Sequence, residues 1–309
     1  MGGRQFSTIR EDILERWRKA VEIEGVPKEA FKPEIKIVGD ESERSRYNFG
    51  VILNEHRYKR HGIIDSKKEN GACNLCKAVN SIEIEQERNL FPNYELLDFI
   101  VVPNKFPIVE GISLAITKKE RPMYTTKDLS GVLEELEIFL NFTDKTGFEV
   151  FHNSPGFGAT IPGHEHWHLT TFRTGYCLVG KKYGFDAAEK ACTMRSTRVK
   201  IMPDFPFAHL IFDKQDTERI VSFLSKADKE IGDRYNGKGV PHTISQGYDG
   251  LLITIGKEYL ERCRGSGDVA GHLVVKSQEE FYKMKYMDCM AELDKVLFRK
   301  EDINLERFI

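Results

Sequence analysis

The chain has 309 residues, of which 40% are hydrophobic and 30% are charged, and its formal net charge is −2. This length can bury the core of one large domain or of two domains of ordinary size. The formal net charge of −2 argues against a broad positive surface for binding nucleic acid. No apolar stretch approaches the ~20 residues needed to cross a bilayer. We therefore expect neither a nucleic-acid partner nor a membrane partner.

The cysteines bear on the cellular compartment. Six are present, and only Cys73 and Cys76 lie close together in the sequence. This spacing is unlike a secreted disulfide framework and fits free thiols in a reducing cytosol. The stretch from Met1 to Ser7 also lacks the apolar core of a signal peptide. We therefore expect a cytoplasmic protein.

Residues 1–195 contain a succession of helix and strand patterns. The predicted elements are a helix from Ser7 to Val21, strands at 35–38, 49–53, 94–102 and 112–117, a helix that opens at Thr126 and Asp128 and runs to Leu140, and a strand at 147–152. A glycine-rich loop and a further strand follow. This order favours an α+β domain with an antiparallel sheet over a doubly wound fold.

Residues 196–309 repeat a similar rhythm more faintly. The patterns predict strands at 207–212, 251–255 and 272–276, an amphipathic helix from Thr217 to Ile231, and a long closing helix from Glu279 to Phe298. No residue motif recurs between the two parts of the chain. A degenerate internal duplication and an unrelated second domain both stay open, with the boundary near residue 195.

The most informative stretch is the run from Gly163 to Leu169, which holds three of the nine histidines, His164, His166 and His168, at alternate positions. On a β-strand, residues two apart share a face, with side chains ~7 Å apart. Histidine titrates near neutral pH and can act as nucleophile, proton carrier or metal ligand. The pattern therefore predicts a functional row of imidazoles on one strand.

The segment from Asn153 to His168 resembles the histidine-triad (HIT-like) superfamily of nucleotidyl transferases and hydrolases: a strand ending in Asn, a Gly-rich loop, then His-x-His-x-His. Residues 94–107 resemble the hairpin that precedes this motif in the family. The chain length and the rhythm of the second half resemble the larger, two-repeat branch, which includes galactose-1-phosphate uridylyltransferase and diadenosine tetraphosphate phosphorylase. The resemblance implies a HIT-like antiparallel sheet with flanking helices, and a homodimer.

The resemblance also implies roles for individual residues. His166 would be the nucleophile, and His168 would hold a phosphate or hand a proton to the leaving oxygen, with His164 as the third catalytic histidine. His152 is interpreted as structural. The implied substrate-binding residues, in the glycine-rich loop and its surroundings, are Asn153, Gly156, Gly158, Thr160 and Asn104.

These roles imply a nucleotidyltransferase or phosphorylase that acts on a nucleoside diphosphate-sugar or a dinucleoside polyphosphate through a nucleotidyl-histidine intermediate. A HIT-like phosphohydrolase is the alternative, because His168 occupies a position that is commonly Gln in the transferases and His in the hydrolases. One departure concerns Glu165, which is charged where the family usually has an apolar residue.

The cysteine pair suggests a structural zinc ion. Related transferases complete such a pair with a histidine after the second hairpin strand and with the first histidine of the triad. In this sequence the corresponding residues are Glu120 and His164, so the resemblance implies a site formed by Cys73, Cys76, Glu120 and His164. Sulfur, nitrogen and carboxylate oxygen are all ligands of zinc in proteins. A reduced, metal-free cysteine pair stays open.

Two hypotheses that place the protein in a different functional class also stay open. A cupin-like protein would bind iron through His-x-His, but such sites want a carboxylate a few residues further on, and the next acid after His168 is Asp186. A non-enzymatic nucleotide-binding protein could have kept the fold, although an intact His166 argues against this.

Overall fold

A computed structural model describes fifteen stretches of the chain. They are residues 2–23, 33–39, 49–55, 75–76, 90, 96, 98–104, 106–108, 110–129, 131–159, 161–170, 199–201, 205–246, 250–259 and 272–309. Within these stretches, no helix is both long enough and apolar enough to span a membrane.

The described residues form helices and strands in alternation along the chain. The helices are α1 (Gly2–Ile23), α2 (Val132–Thr146), α3 (Thr217–Ile231), α4 (Gln278–Lys283) and α5 (Tyr286–Asp294). The strands are β1 (Glu34–Val38), β2 (Phe49–Leu53), β3 (Phe99–Pro103), β4 (Ser113–Thr117), β5 (Glu149–Asn153), β6 (His166–Thr170), β7 (Val199–Lys200), β8 (His209–Asp213), β9 (His242–Gln246), β10 (Gly250–Ile255) and β11 (His272–Val275).

Eight of the strands form one antiparallel sheet in the order β3-β4-β6-β5-β9-β10-β8-β7. A smaller sheet has the order β1-β2-β11, in which β11 runs parallel to β2. A large antiparallel sheet with flanking helices confirms the α+β prediction.

The large sheet consists of two repeats of one topology. The elements β3, β4, α2, β5 and β6 are arranged in space as β3-β4-β6-β5, and β7, β8, α3, β9 and β10 are arranged as β7-β8-β10-β9. The third strands of the two repeats meet side by side, with Phe151 opposite Ser245. Two successive segments of the chain thus share one topology, and their origin by duplication stays a prediction. The boundary at residue 195 lies outside the described residues.

Helices α1, α2 and α3 cover one face of the large sheet. Trp17, Phe139 and Phe223 from these helices belong to the same buried cluster as Trp167 and Leu169 of β6. The rings of Phe139 and Trp167 lie 5.1 Å apart. Because side chains alternate along a strand, this packing directs the neighbours of Trp167 to the opposite face of the sheet.

The opposite face is covered in two places. Over the second repeat, the small sheet and α5 pack onto β8 and β10, where Ile211 and Leu252 join one cluster with Phe49 and Leu273. Over the first repeat, Leu75 packs onto β3 and β4. The histidine face of β6 lies between these two covers.

Two predicted helix bounds are wrong. The closing helix divides at Met284, whose backbone is extended, and Asp288 caps a new helix by accepting a hydrogen bond from the Lys285 N–H at 2.8 Å. Helix α2 begins at Val132 instead of Thr126. The Thr126 hydroxyl instead donates to Asp228 and accepts from the Val240 N–H, both at 2.7 Å. These partners lie far from Thr126 in the sequence, so the local spacing of apolar residues gives no sign of them.

Candidate active site

The histidine row is carried by the start of β6. His166 and His168 lie on the strand and on one face, with rings 5.5 Å apart and with only 4% and 9% of their surface exposed. The prediction that the strand extends back through Gly163 is wrong, because a turn precedes it, in which the His164 N–H bonds to the Ile161 carbonyl at 3.2 Å. The strand therefore presents two imidazoles, and His164 stands just before it.

The ring orientation of His166 is set by one hydrogen bond. Nδ1 lies 2.8 Å from the carbonyl oxygen of His164. A carbonyl oxygen can only accept, so Nδ1 carries the proton. In the neutral ring the lone pair is then on Nε2, which is the nitrogen that can attack an electrophile or accept a proton.

His168 is held by stacking. Its ring lies parallel to that of Phe151 on β5, with centroids 4.5 Å apart and an interplanar angle of 4°. Asn153, two residues after Phe151, shares its face of the sheet and is 5% exposed. The structure therefore places His166, His168 and Asn153 on the same face of adjacent strands.

The glycine-rich loop leaves β5 directly after Asn153. The first residue of the loop is hydrogen-bonded to β9. The Ser154 N–H donates to the His242 carbonyl at 3.0 Å, and the Ser154 hydroxyl accepts from the His242 N–H at 2.7 Å. Gly156 and Gly158 both have left-handed backbones, with φ of 82° and 84°. Left-handed glycines of this kind are common in loops whose backbone approaches an anion closely. Thr160 lies outside the described residues.

Gly156→Ala is expected to destabilise the protein by about 2–5 kcal/mol, since the left-handed backbone costs ~1–2 kcal/mol and overpacking adds ~1–3 kcal/mol. A Cβ at this position would stand 2.4 Å from the ring of Tyr259. Gly163→Ala is the matched control, because nothing lies within 4 Å of a Cβ there. Urea unfolding of both variants checks this, and equal losses would contradict it.

The proposed zinc ligands are partly within the described residues. The Cys76 sulfur lies 3.3 Å from Nδ1 of His164, and Nε2 of that ring lies 2.8 Å from the Thr117 carbonyl. Nε2 is therefore the protonated nitrogen, and the Nδ1 lone pair points to the thiol. Sulfur and nitrogen ligands of one tetrahedral zinc stand ~3.5 Å apart, so this pair fits half of such a site. Glu120 is solvent-exposed, and Cys73 lies outside the described residues.

Asn104 and His166 lie at opposite ends of the strands β3, β4 and β6. It follows β3, and its backbone N–H donates to Ile112, the residue before β4. β4 pairs Ser113 with Leu169 and Ile116 with His166, so Asn104 is close to the end of β6 rather than to its start. Its side-chain oxygen accepts the Phe106 N–H at 2.9 Å, which stabilises the turn.

Glu165 is fully buried on the helix-covered side of β6. Its carboxylate accepts hydrogen bonds from Nε2–H of His152 at 3.1 Å and from the Tyr124 N–H at 2.9 Å. Its backbone N–H donates to the Arg121 carbonyl at 2.8 Å, and its carbonyl accepts from the Thr117 N–H at 3.3 Å. The residue before the candidate nucleophile is thus bonded to three neighbouring segments.

The charge of Glu165 is maintained despite its burial. Burial by itself would raise the pKa of the carboxyl group, but the interaction with His152 and the hydrogen bond from Tyr124 N–H, together with His166 nearby, lower the pKa below its ordinary value. The group is therefore ionised at neutral pH.

A second buried carboxylate supports the next residue of the strand. Glu135 on α2 accepts a hydrogen bond from the indole N–H of Trp167 at 2.8 Å. Glu135 also forms an ion pair with Arg121, whose guanidinium lies over the ring of Tyr124 at 4.6 Å. Sequence reasoning missed this network. The available signal was the presence of Glu165 and His152 at strand positions that face the core.

A histidine held through Nδ1–H by a backbone carbonyl, with a glycine-rich loop after the adjacent strand of a large antiparallel sheet, is the arrangement expected of a HIT-like fold with two repeats. The fold is shared by the solved structures of yeast Ap4A phosphorylase Apa2. The complex with AMP has a TM-score of 0.63 and 14% identity, covering 94% of this chain and 96% of that chain.

Two further structures of the yeast enzyme agree. The structure without a named ligand has a TM-score of 0.60 and 13% identity, with 94% of each chain covered. The complex with Ap4A has a TM-score of 0.60 and 14% identity, with 94% of this chain and 97% of that chain covered. No protein-family model and no curated protein matches the sequence. These likenesses confirm the HIT-like fold predicted from the motif.

Proposed function

We propose that the protein is a nucleotidyltransferase that acts through a covalent nucleotidyl intermediate on His166, with a dinucleoside polyphosphate or a nucleoside diphosphate-sugar as substrate. The shared fold with an enzyme named Ap4A phosphorylase, solved with Ap4A and with AMP, favours the dinucleoside polyphosphate. The acceptor is then inorganic phosphate, and the reaction is a phosphorolysis.

The observation that carries the proposal is the hydrogen bond from Nδ1–H of His166 to the His164 carbonyl. It leaves Nε2 as the attacking atom, and it stabilises the positive charge that the ring acquires when Nε2 bonds to phosphorus. A nucleophile whose second nitrogen is held by an acceptor is the arrangement that covalent histidine catalysis needs.

The reaction has two displacements at the same phosphorus atom. First, Nε2 of His166 bonds to the α-phosphorus, and the bond from phosphorus to the departing polyphosphate oxygen breaks with its electron pair. Second, an oxygen of inorganic phosphate bonds to that phosphorus, and the N–P bond returns its electron pair to Nε2. With Ap4A the products are ATP and then ADP.

The neighbours of His166 would serve the two displacements. His168, stacked on Phe151, would donate a hydrogen bond or a proton to the departing oxygen. The backbone N–H groups around Gly156 and Gly158 would bind the phosphate oxygens, and Asn153 would orient them. Preorganised donors of this kind stabilise the charge that develops in the transition state.

Ap4A radiolabelled in its α-phosphates tests the proposal. Without phosphate, label should stay on the denatured protein through an acid-labile bond that maps to His166, and added phosphate should release it as ADP. Absence of label from both Ap4A and UDP-glucose would refute the proposal. Label that water releases as AMP, with no response to phosphate, would favour the hydrolase alternative, and tight iron binding without any label would favour the cupin-like alternative.

We also propose a structural zinc ion bound by Cys73, Cys76 and His164, with Glu120 as the fourth ligand after its exposed side chain turns inward; among the described residues, no three such ligands are grouped without the metal. The pairing of Cys76 with the unprotonated Nδ1 of His164 supports it. The ion would anchor the residue that comes two before His166, and the Thr117 carbonyl would orient the His164 ring, as outer-shell acceptors commonly do for metal-bound histidines.

Elemental analysis is expected to find about one zinc ion per chain, as in a four-ligand structural site. Cys76→Ser should remove the metal and lower the stability of the folded protein. Cys289→Ala is the control, because this thiol is also buried but lies on α5, and it should retain zinc. A wild-type protein that is metal-free and fully active would exclude the site.

A further inference from the structure

We infer that the buried hydrogen bond between Glu165 and His152 is a positioning device: it fixes the spacing between the nucleophile strand and the glycine-rich loop, and so determines the rate of nucleotidyl transfer. The inference rests on the proposed function, because the rate it concerns is that of the covalent step on His166. Neither side chain touches the reacting atoms.

The position of the pair in the chain carries the argument. Glu165 is directly followed by His166, and His152 is directly followed by Asn153, the last residue of β5 before the loop. The 3.1 Å bond therefore joins the residue before the nucleophile to the residue before Asn153. A change of 1 Å in that distance would pass to both functional segments, and misplacement on this scale is enough to lower catalysis ~10²-fold.

The strand pairing between β5 and β6 ends before this place. The register of β5 with β6 runs from Glu149–Thr170 to Phe151–His168, which is the last pair. His166 lies two residues beyond it, and Asn153 pairs with Thr243 on the opposite side of β5. The Glu165–His152 bond thus joins the two segments beyond the last residue pair of β5 and β6.

A purely structural role explains the pair less well. Burying a carboxylate costs several kcal/mol, and apolar residues of similar volume often replace buried ion pairs without loss of stability. A leucine at position 165 would satisfy the packing against the helices. What it cannot supply is directional bonding to His152 and to the Tyr124 N–H at once. A requirement for geometry therefore accounts for the charged residue.

The test compares Glu165→Leu, Glu165→Gln and Leu224→Ala. Leu224 is a fully buried residue of α3, the helix of the second repeat, and its truncation to alanine should cost ~2–5 kcal/mol of stability. Each variant is assayed for kcat and KM with Ap4A and phosphate, and for the single-turnover rate of labelling on His166. All assays are made at a temperature at which thermal melts show every protein to be folded.

Glu165→Leu is expected to lower kcat and the labelling rate ~10–100-fold with KM changed less than ~3-fold, since an interaction that serves only the transition state is lost. Glu165→Gln, which keeps an acceptor and a donor, should restore most of the rate. Leu224→Ala should lose stability while keeping kcat within ~2-fold.

Distinct outcomes refute the inference and the proposed function. A wild-type protein that labels on His166, with a Glu165→Leu variant that labels equally fast, overturns the positioning role alone. A wild-type protein that never labels overturns the proposed function and this inference with it. Should Glu165→Leu not fold, His152→Leu decides by the same threshold, because it removes the donor to the Glu165 carboxylate and leaves Glu165 bonded to the Tyr124 N–H.

Discussion

His166→Ala is expected to lower the turnover of Ap4A at least ~10³-fold, the loss that follows removal of a covalent nucleophile. The ring supplies the bond-forming atom, and no water can reproduce a nitrogen held by the His164 carbonyl at 2.8 Å. Labelling of the denatured protein should disappear together with turnover. Steady-state and single-turnover assays measure both quantities, and the circular dichroism spectrum should be unchanged.

His209→Ala is the matched control for that experiment. His209 is also a buried histidine at the start of a strand, β8, and its Nδ1–H also donates to the carbonyl two residues earlier, that of Phe207, at 2.8 Å. It lies in the second repeat, outside the candidate site. Its loss should lower stability without abolishing labelling. A mild effect of His166→Ala, or an equal effect of both variants, would contradict the assignment of His166 as nucleophile.

The part of the fold that sequence could predict is the part with local periodicity. The predicted and observed bounds of α3 agree at Thr217 and Ile231, because Ile220, Leu224 and Ala227 repeat at helical spacing on its buried face. The order of the strands in the large sheet could not be predicted from the sequence. The two repeats are recognisable from the strand order, in which β5 and β9 are neighbours. They are not recognisable from a shared sequence motif, because β10 has no histidine that corresponds to His166 on β6.

The candidate site divides in the same way. Alternation along a strand is local, so the shared face of His166 and His168 could be predicted from spacing alone. The hydrogen-bond partners of Glu165 lie 13 and 41 residues away in the sequence. No local sequence pattern predicts contacts at that separation. The sequence indicated only that Glu165 is charged at a position where the family usually has an apolar residue. Whether it was solvated or buried depended on helices α1 to α3 covering that face.

The second repeat keeps two buried histidines that affect stability. Burial lowers the pKa of His209 to about 3 and the pKa of His242 to about 4, despite the backbone hydrogen bonds that each ring makes. Lys300 lowers the pKa of His209 further, and His152 has the same effect on His242. Both rings are therefore neutral in the folded protein above about pH 5.

The unfolded chain behaves differently, since its histidines titrate at about pH 6.5. Below that pH the unfolded state binds protons that the folded state does not, so the stabilising contribution of each ring is present above pH ~6.5 and is lost as the pH falls toward the folded pKa. At about pH 5 the loss is ~2 kcal/mol for each ring, or ~4 kcal/mol for the two. That is a large share of the ~5–15 kcal/mol by which a typical protein is stable.

Replacing both rings by asparagine should remove this acid sensitivity. The side-chain N–H of asparagine can donate to the carbonyls of Phe207 and Val240 as Nδ1–H does, but it does not titrate. Between about pH 7.5 and pH 5, the free energy of unfolding of the wild type should fall by ~4 kcal/mol more than that of the double variant, and each single variant should recover about half of the difference. Urea unfolding at the two pH values measures it. Because every other titrating group is common to the proteins, parallel losses in wild type and double variant would show that the two rings are protonated in the folded state.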